Sequence, residues 1–136
     1  MLAENPDLVV LAGWMHVLGD GFLDLVSKKP VPVINLHPAL PRTFDGANAI
    51  ERAYEAFQKG EIDRSGVMMH RVIKEVDRGE PLIVREVRFQ EGDTLDSFAQ
   101  RLHIVEWEII VKATKNVLDQ LKPLVCRSRL CPTMLI

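Results

Sequence analysis

Asn35 and His37 lie two residues apart at the end of an apolar, β-branched run, VPVINLHPALP over Val31–Pro41. Side chains alternate faces along a strand, so an amide and an imidazole at this spacing project together, with Leu36 turned away into packing. Pro38 gives no N–H to a ladder and biases His37 toward extended backbone, so the strand is expected to stop there. In open parallel sheets, ligands gather beyond the carboxyl ends of strands. An amide donor and an imidazole at such an edge suit chemistry on a polar carbonyl. The plainer alternative is that both residues only close the strand and satisfy loop backbone.

Two more polar features sit at strand ends: Met15-His16 after the first strand, and Asp77 between the third and fourth. A carboxylate beside a histidine favours imidazolium and fixes the ring. An amide and an imidazolium facing one point stabilise a developing oxyanion. That chemistry is acyl-type transfer in which the substrate supplies the nucleophile. The chain has no G-x-S-x-G elbow, and neither cysteine, Cys126 or Cys131, lies near a strand end. Metal ligation by His37, His70 and Asp77 is a rival, although their separations match no metal signature. His70, on an apolar strand, reads as a hydrogen-bonded core residue.

The elements needed to position these groups alternate between strand and helix. Asp7–Gly13 (DLVVLAG) reads as a buried parallel strand, Gly19-Asp20-Gly21 as a turn, and Phe22–Lys28 as a short helix. The strand Val31–His37 follows, far enough on for a right-handed βαβ crossover. After the loop Pro38–Gly46, Ala47–Gln58 carries a helical stripe stopped by Lys59-Gly60. Ser65–Ile73 reads as a strand, Lys74–Gly79 as a polar turn, and Leu82–Phe89 as a strand joining antiparallel.

Asp93 or Thr94 then caps a helix running to about Leu121 and expected to pack across the sheet. Its stripe is Leu95, Phe98, Leu102, Val105, Ile109, Ala113, Val117 and Leu121. Trp14 and Trp107 are read as packing residues. His103 falls on the polar side with no assigned role, and Lys112–Lys115 on a solvated face. Glu106, beside Val105, needs a partner there, either a ligand or a salt bridge.

Composition bounds the answer. A chain of 136 residues suffices for one modest domain, and its 47% apolar and 26% charged residues are ordinary for a globular protein. A net charge of −2 leaves no basic footprint for nucleic acid. No apolar run approaches a membrane span, and the first residues lack the charged and apolar regions of a secretory signal. One close cysteine pair is no disulfide framework, and supplies two ligands of a structural zinc site's four. A cytoplasmic setting fits.

In order and spacing, LAGWMHVL, INLHPALPRTFDGANAI and SGVMMHRVIKEVDRGEPLIV resemble the phosphoribosylglycinamide formyltransferases, most of all the fungal-type monofunctional form. The resemblance runs from about Asn5 to Leu121. It implies an α/β fold, a partly parallel Rossmann-like sheet of formyltransferase type with flanking helices, and formyl transfer from 10-formyltetrahydrofolate to the amine of glycinamide ribonucleotide in purine (IMP) biosynthesis. By the same resemblance Asn35 and His37 act on the formyl group, and Asp77 holds His37 and supports its charge. Met15, His16, Val17, Leu18 and the loop Lys74, Glu75, Val76 and Asp77 line the folate pocket. Gly13, Pro38 and Glu106 border the ribonucleotide. No metal is implied, and the partners are small molecules, with neither nucleic acid nor membrane.

The family's opening strand and Gly-rich phosphate-binding turn have no counterpart here. The chain is therefore expected to be N-terminally truncated, with residues 1–121 the catalytic and folate-binding portion and an incomplete sheet whose exposed edge invites association. Residues 122–136 resemble nothing in the family. The alternatives are a formyltetrahydrofolate hydrolase, another formyltransferase of the fold, or a non-catalytic folate-binding fragment.

Overall fold

The computed structural model describes residues 31–121 throughout, together with residues 6–13, 18, 19, 21, 22, 24 and 28. The elements are β1 (Val9–Leu11), β2 (Val33–His37), α1 (Ala49–Gln58), β3 (Arg64–Arg71), β4 (Pro81–Arg88) and α2 (Leu95–Leu121). The four strands form one sheet in the order β1-β2-β3-β4. β1 and β2 run parallel, Val9 beside Val33; β2–β3 and β3–β4 are antiparallel. Both expected features, the parallel pair and the antiparallel excursion, are present. The short helix expected over Phe22–Lys28 lies largely outside the described residues.

Strand alternation divides the sheet into two chemically different faces. Ile34, Val67, Met69 and Val87 pack with Phe98, Leu102, Ile109, Ala113 and Val117 of α2, forming the main core. The opposite face holds the smaller cluster Val9, Leu11 and Val33, with Leu18 packed against it. Asn35 and His37, in phase with Val33, point to this second face, away from α2. Phe89 stacks between Phe57 of α1 and Phe98 of α2, with ring centroids 4.3 and 3.9 Å apart, tying both helices to the end of β4.

Both helices end as their sequences direct. Gly60, at φ 73°, takes the left-handed position after α1. Its N–H donates to the Phe57 carbonyl and that of Glu61 to Ala56, satisfying carbonyls that α1 leaves open. At the start of α2 the Thr94 hydroxyl accepts the Ser97 N–H, and the Ser97 hydroxyl accepts that of Thr94, each at 3.1 Å. Asp93 accepts two N–H bonds from Arg101 and one from the Gln90 backbone.

The expectation for Trp107 is corrected: it is 69% exposed. It lies five residues beyond Leu102, roughly 140° around the helix from the buried stripe. Leu121, placed in that stripe by its period, is also exposed. No helix among the described residues is long and apolar enough to cross a membrane.

Candidate active site

Two loops meet at the carboxyl end of β2. The first, Pro38–Gly46, leaves the strand through left-handed backbone at Arg42, Phe44 and Gly46. The second, Lys74–Gly79, connects β3 to β4. Asp77, itself at φ 55°, accepts the Gly46 N–H through Oδ2 at 2.8 Å, and Arg78 pairs with Asp45 at 2.5 Å. Asp tolerates this conformation better than most side chains do. The two contacts fold the second loop back over the strand end.

Gly79 makes the return possible. A Cβ there would lie 1.6 Å from the Arg71 carbonyl oxygen, inside any allowed contact. Only glycine lets the chain pass so close to β3. The VDRGEP stretch thus has a steric requirement at its glycine and an electrostatic one at its aspartate.

Three side chains converge on the Asp77 carboxylate. Asn35 Nδ2 donates to Oδ1 at 3.3 Å, His37 Nδ1 lies 3.5 Å from Oδ2, and His70 Nε2 lies 3.3 Å from Oδ1. A carboxylate only accepts, so the Asn35 nitrogen must face it and Asn35 Oδ1 must face away. That oxygen and His37 Nε2 are both buried without a hydrogen-bond partner. Buried polar atoms are normally paired, so two orphans on consecutive same-face residues mark where something polar binds.

Electrostatics correct one expectation. Burial is the largest influence on His37 and lowers its pKa; the Asp77 charge pulls upward without making up the difference, and the neighbouring His70 lowers it again. The net direction is below the ordinary histidine value, so at neutral pH the ring is uncharged. Asp77 was expected to hold it as imidazolium. Desolvation wins because the His37 side chain is only 5% exposed. With Nδ1–H toward the carboxylate, Nε2 presents a lone pair. Asp77 itself is held below the usual carboxylate range: burial would raise it, but His70, the Gly46 N–H and the charge of His37 outweigh that.

His70 joins the site, which its reading as a core residue did not foresee. It is buried and hydrogen-bonded, as expected of a core histidine, with Nδ1 2.9 Å from the Arg71 carbonyl oxygen. Its other nitrogen faces Asn35 and Asp77. The available signal was register: in the antiparallel β2–β3 pair, His70 lies directly opposite Asn35. The run Val67-Met68-Met69 lacks polar alternation, so nothing local showed which face His70 takes.

The remaining candidates scatter. Met15, His16 and Val17 lie outside the described residues; Leu18 packs beside β1. Lys74 pairs with Asp24 at 3.5 Å, and Glu75 and Val76 are exposed on the same loop. Gly13, in left-handed backbone, follows β1, and half-buried Pro38 follows His37. Glu106 pairs with His103 at 2.6 Å, which gives the carboxylate its partner and His103 a role. Among the described residues no three His, Cys, Asp or Glu side chains are arranged to hold a metal ion.

The comparisons agree with this fold. The model of the formyl transferase family matches residues 1–114. Phosphoribosylglycinamide formyltransferase of Schizosaccharomyces pombe is 44% identical over 118 residues, covering 87% of this chain and 57% of the relative. That of Dictyostelium discoideum is 46% identical over 114 residues, covering 82% and 55%. A crystal structure of the Streptococcus pneumoniae phosphoribosylglycinamide formyltransferase superposes with a TM-score of 0.77 at 32% identity, covering 86% of this chain and 61% of that one. The chain spans a little over half the length of the curated relatives it matches. On the family match, the shared sequence and the shared sheet, the chain belongs to the formyl transferase family.

Proposed function

We propose that the end of β2 serves transfer of the formyl group of 10-formyltetrahydrofolate to the amine of glycinamide ribonucleotide, in purine biosynthesis leading to IMP. The observation that carries this reading is the pair of buried, unpartnered atoms, Asn35 Oδ1 and His37 Nε2, on side chains both anchored to Asp77. Two acceptors side by side suit an attacking amine, which brings N–H donors and must lose a proton.

In this reading Asn35 Oδ1 holds one amine N–H, and His37 Nε2 accepts a proton as the amine nitrogen bonds to the formyl carbon. The resulting imidazolium is stabilised by Asp77 and lies beside the oxyanion that develops on the formyl oxygen. His37 then returns the proton to the departing carrier nitrogen as its bond to the formyl carbon breaks. The ring ends as it began, and no metal is required. Asn35, His37 and Asp77 form the catalytic set. Met15, His16, Val17, Leu18, Lys74, Glu75 and Val76 border the folate, and Gly13, Pro38 and Glu106 the ribonucleotide. The reaction is a cytoplasmic one between small molecules; association through the edge of β1, the outer strand among the described residues, belongs to the same reading.

The test is a product assay with 10-formyltetrahydrofolate, with and without glycinamide ribonucleotide. Formylated ribonucleotide and tetrahydrofolate in equal amounts, only when the amine is present, support the reading. Tetrahydrofolate and formate without the amine would make the protein a hydrolase, and folate binding with no product a binding module.

A further inference from the structure

We infer that Arg52 is a positioning residue for Asp77: its guanidinium holds the Asp45–Gly46 peptide in the orientation that turns the Gly46 N–H onto the carboxylate. The kinetic consequence rests on the proposed formyl transfer; the structural content does not. Arg52 stands near the start of α1, with its own N–H on the Asn48 carbonyl at 3.0 Å. From this regular element its Nη1 donates to the Asp45 carbonyl at 2.8 Å and to that of Ala47 at 3.3 Å. Its guanidinium carbon lies 5.7 Å from the centre of the Phe44 ring, within reach of a cation–π contact. Arg52 thus grips the loop on both sides of Gly46, whose N–H donates to Asp77 Oδ2 at 2.8 Å.

The Asp45 carbonyl and the Gly46 N–H belong to one trans peptide and point opposite ways. A cation takes the oxygen and an anion the hydrogen, so both ends of the peptide dipole meet an opposite charge. Reversed, the unit would set its oxygen against the Asp77 carboxylate and its N–H against the guanidinium. Local backbone does not make this choice by itself. Gly46, at φ 85°, has no Cβ to resist rotation of the peptide. Arg42, Phe44 and Asn48 also take left-handed backbone, so the loop follows no regular ladder. The ion pair of Arg78 with Asp45 fastens that residue's side chain, not its peptide plane. Asn35 and His37 are both anchored to the same carboxylate, so a peptide that turned away would loosen the whole set.

The experiment compares Arg52→Ala with Arg52→Lys. One Arg52 nitrogen makes both carbonyl bonds, a task that a lysine ammonium on its long stem can share. Arg52 is exposed, so neither change disturbs the core. Two readouts are taken on the whole chain. Solvent exchange of the Gly46 backbone amide is followed by NMR, its signal assigned sequentially through Asp45. Exchange is expected to be about fivefold faster in Arg52→Ala, the scale of one exposed, charge-assisted hydrogen bond, with Arg52→Lys nearer the unsubstituted chain. Unchanged exchange in Arg52→Ala would overturn the proposal whatever the activity. Equally fast exchange in both variants would show that the cation does not hold the peptide, and would overturn it too. Formyl transfer is then measured in a double-mutant cycle. Arg52→Ala is expected to lower kcat about fivefold, with little change in KM for either substrate, and to add nothing once Asp77 is alanine. Full additivity, or a loss confined to KM, would show that Arg52 does not act through Asp77 and would overturn the proposal. Absence of transfer by the unsubstituted protein would refute the proposed function and leave the exchange measurement to decide the role of Arg52.

Discussion

Asp77→Asn separates the two ways in which His37 can work. The substitution keeps size and shape but removes a charge 3.5 Å from His37 Nδ1. At an effective dielectric of about 20, unit charges at that distance attract by about 4–5 kcal/mol, an upper bound on what Asp77 lends to an imidazolium. An Asn oxygen can still accept the Gly46 N–H and recovers part of this. The expected fall in turnover at saturating substrates is therefore about a hundred- to a thousandfold. The pH dependence carries the sign. His37 acts from its neutral form, so activity is lost on the acid side as the ring protonates. Its pKa already lies low because of burial, and losing Asp77 removes the main influence raising it. The acid limb of the pH–kcat/KM profile should move to lower pH while the plateau drops. A drop with the shift on the alkaline limb instead would show that the resting ring is charged, and would refute the reasoning.

Other perturbations test the supports of the site. Gly79→Ala puts a Cβ 1.6 Å from the Arg71 oxygen, so the loop must move; we expect about 1–3 kcal/mol of lost stability in denaturant melts and a loss of transfer at least as large as that of Asp77→Asn. Asp93→Ala removes the acceptor of four hydrogen bonds at the start of α2, from Gln90, Ser97 and two Arg101 nitrogens; about 2–3 kcal/mol is expected at pH 7. Arg101 holds the Asp93 carboxyl well below its ordinary value. This contribution is thus present above about pH 4 and lost as pH falls through the lowered pKa, and the two melting curves should approach each other in acid. Trp107→Ala should change stability by less than about 0.5 kcal/mol, because its ring is exposed.

Much of the site was legible because it is written in local rules. Pro38 ends a strand, two-residue spacing puts Asn35 and His37 on one face, and Lys74–Gly79 reads as a polar turn. Period-3.6 spacing likewise located α2 and its buried line from Phe98 to Val117. What escaped depends on relations between distant segments. The place of His70 follows from a pairing register that its apolar neighbours do not encode. The charge state of His37 follows from how deeply the two loops bury it, a sum over the fold that proximity to Asp77 alone misstates. Trp107 was misplaced because size and apolarity were read as burial, when its angular position on α2 puts it outside. Glu106 and His103 are three residues apart, so their hydrogen bond was available from helix geometry.

The most direct test of the site chemistry is an NMR titration of the His37 imidazole in this chain. A ring that is neutral at pH 7, protonated on Nδ1 rather than Nε2, and that titrates below the ordinary histidine value of about 6.5 is the predicted result. Because the unfolded ring binds its proton at higher pH than the folded one, stability should also fall as pH drops below about 6.5 toward the folded pKa, and His37→Asn should remove that slope. A His37 pKa above 6.5, or a proton resident on Nε2 at pH 7, would contradict the assignment of His37 as the acceptor of the amine proton.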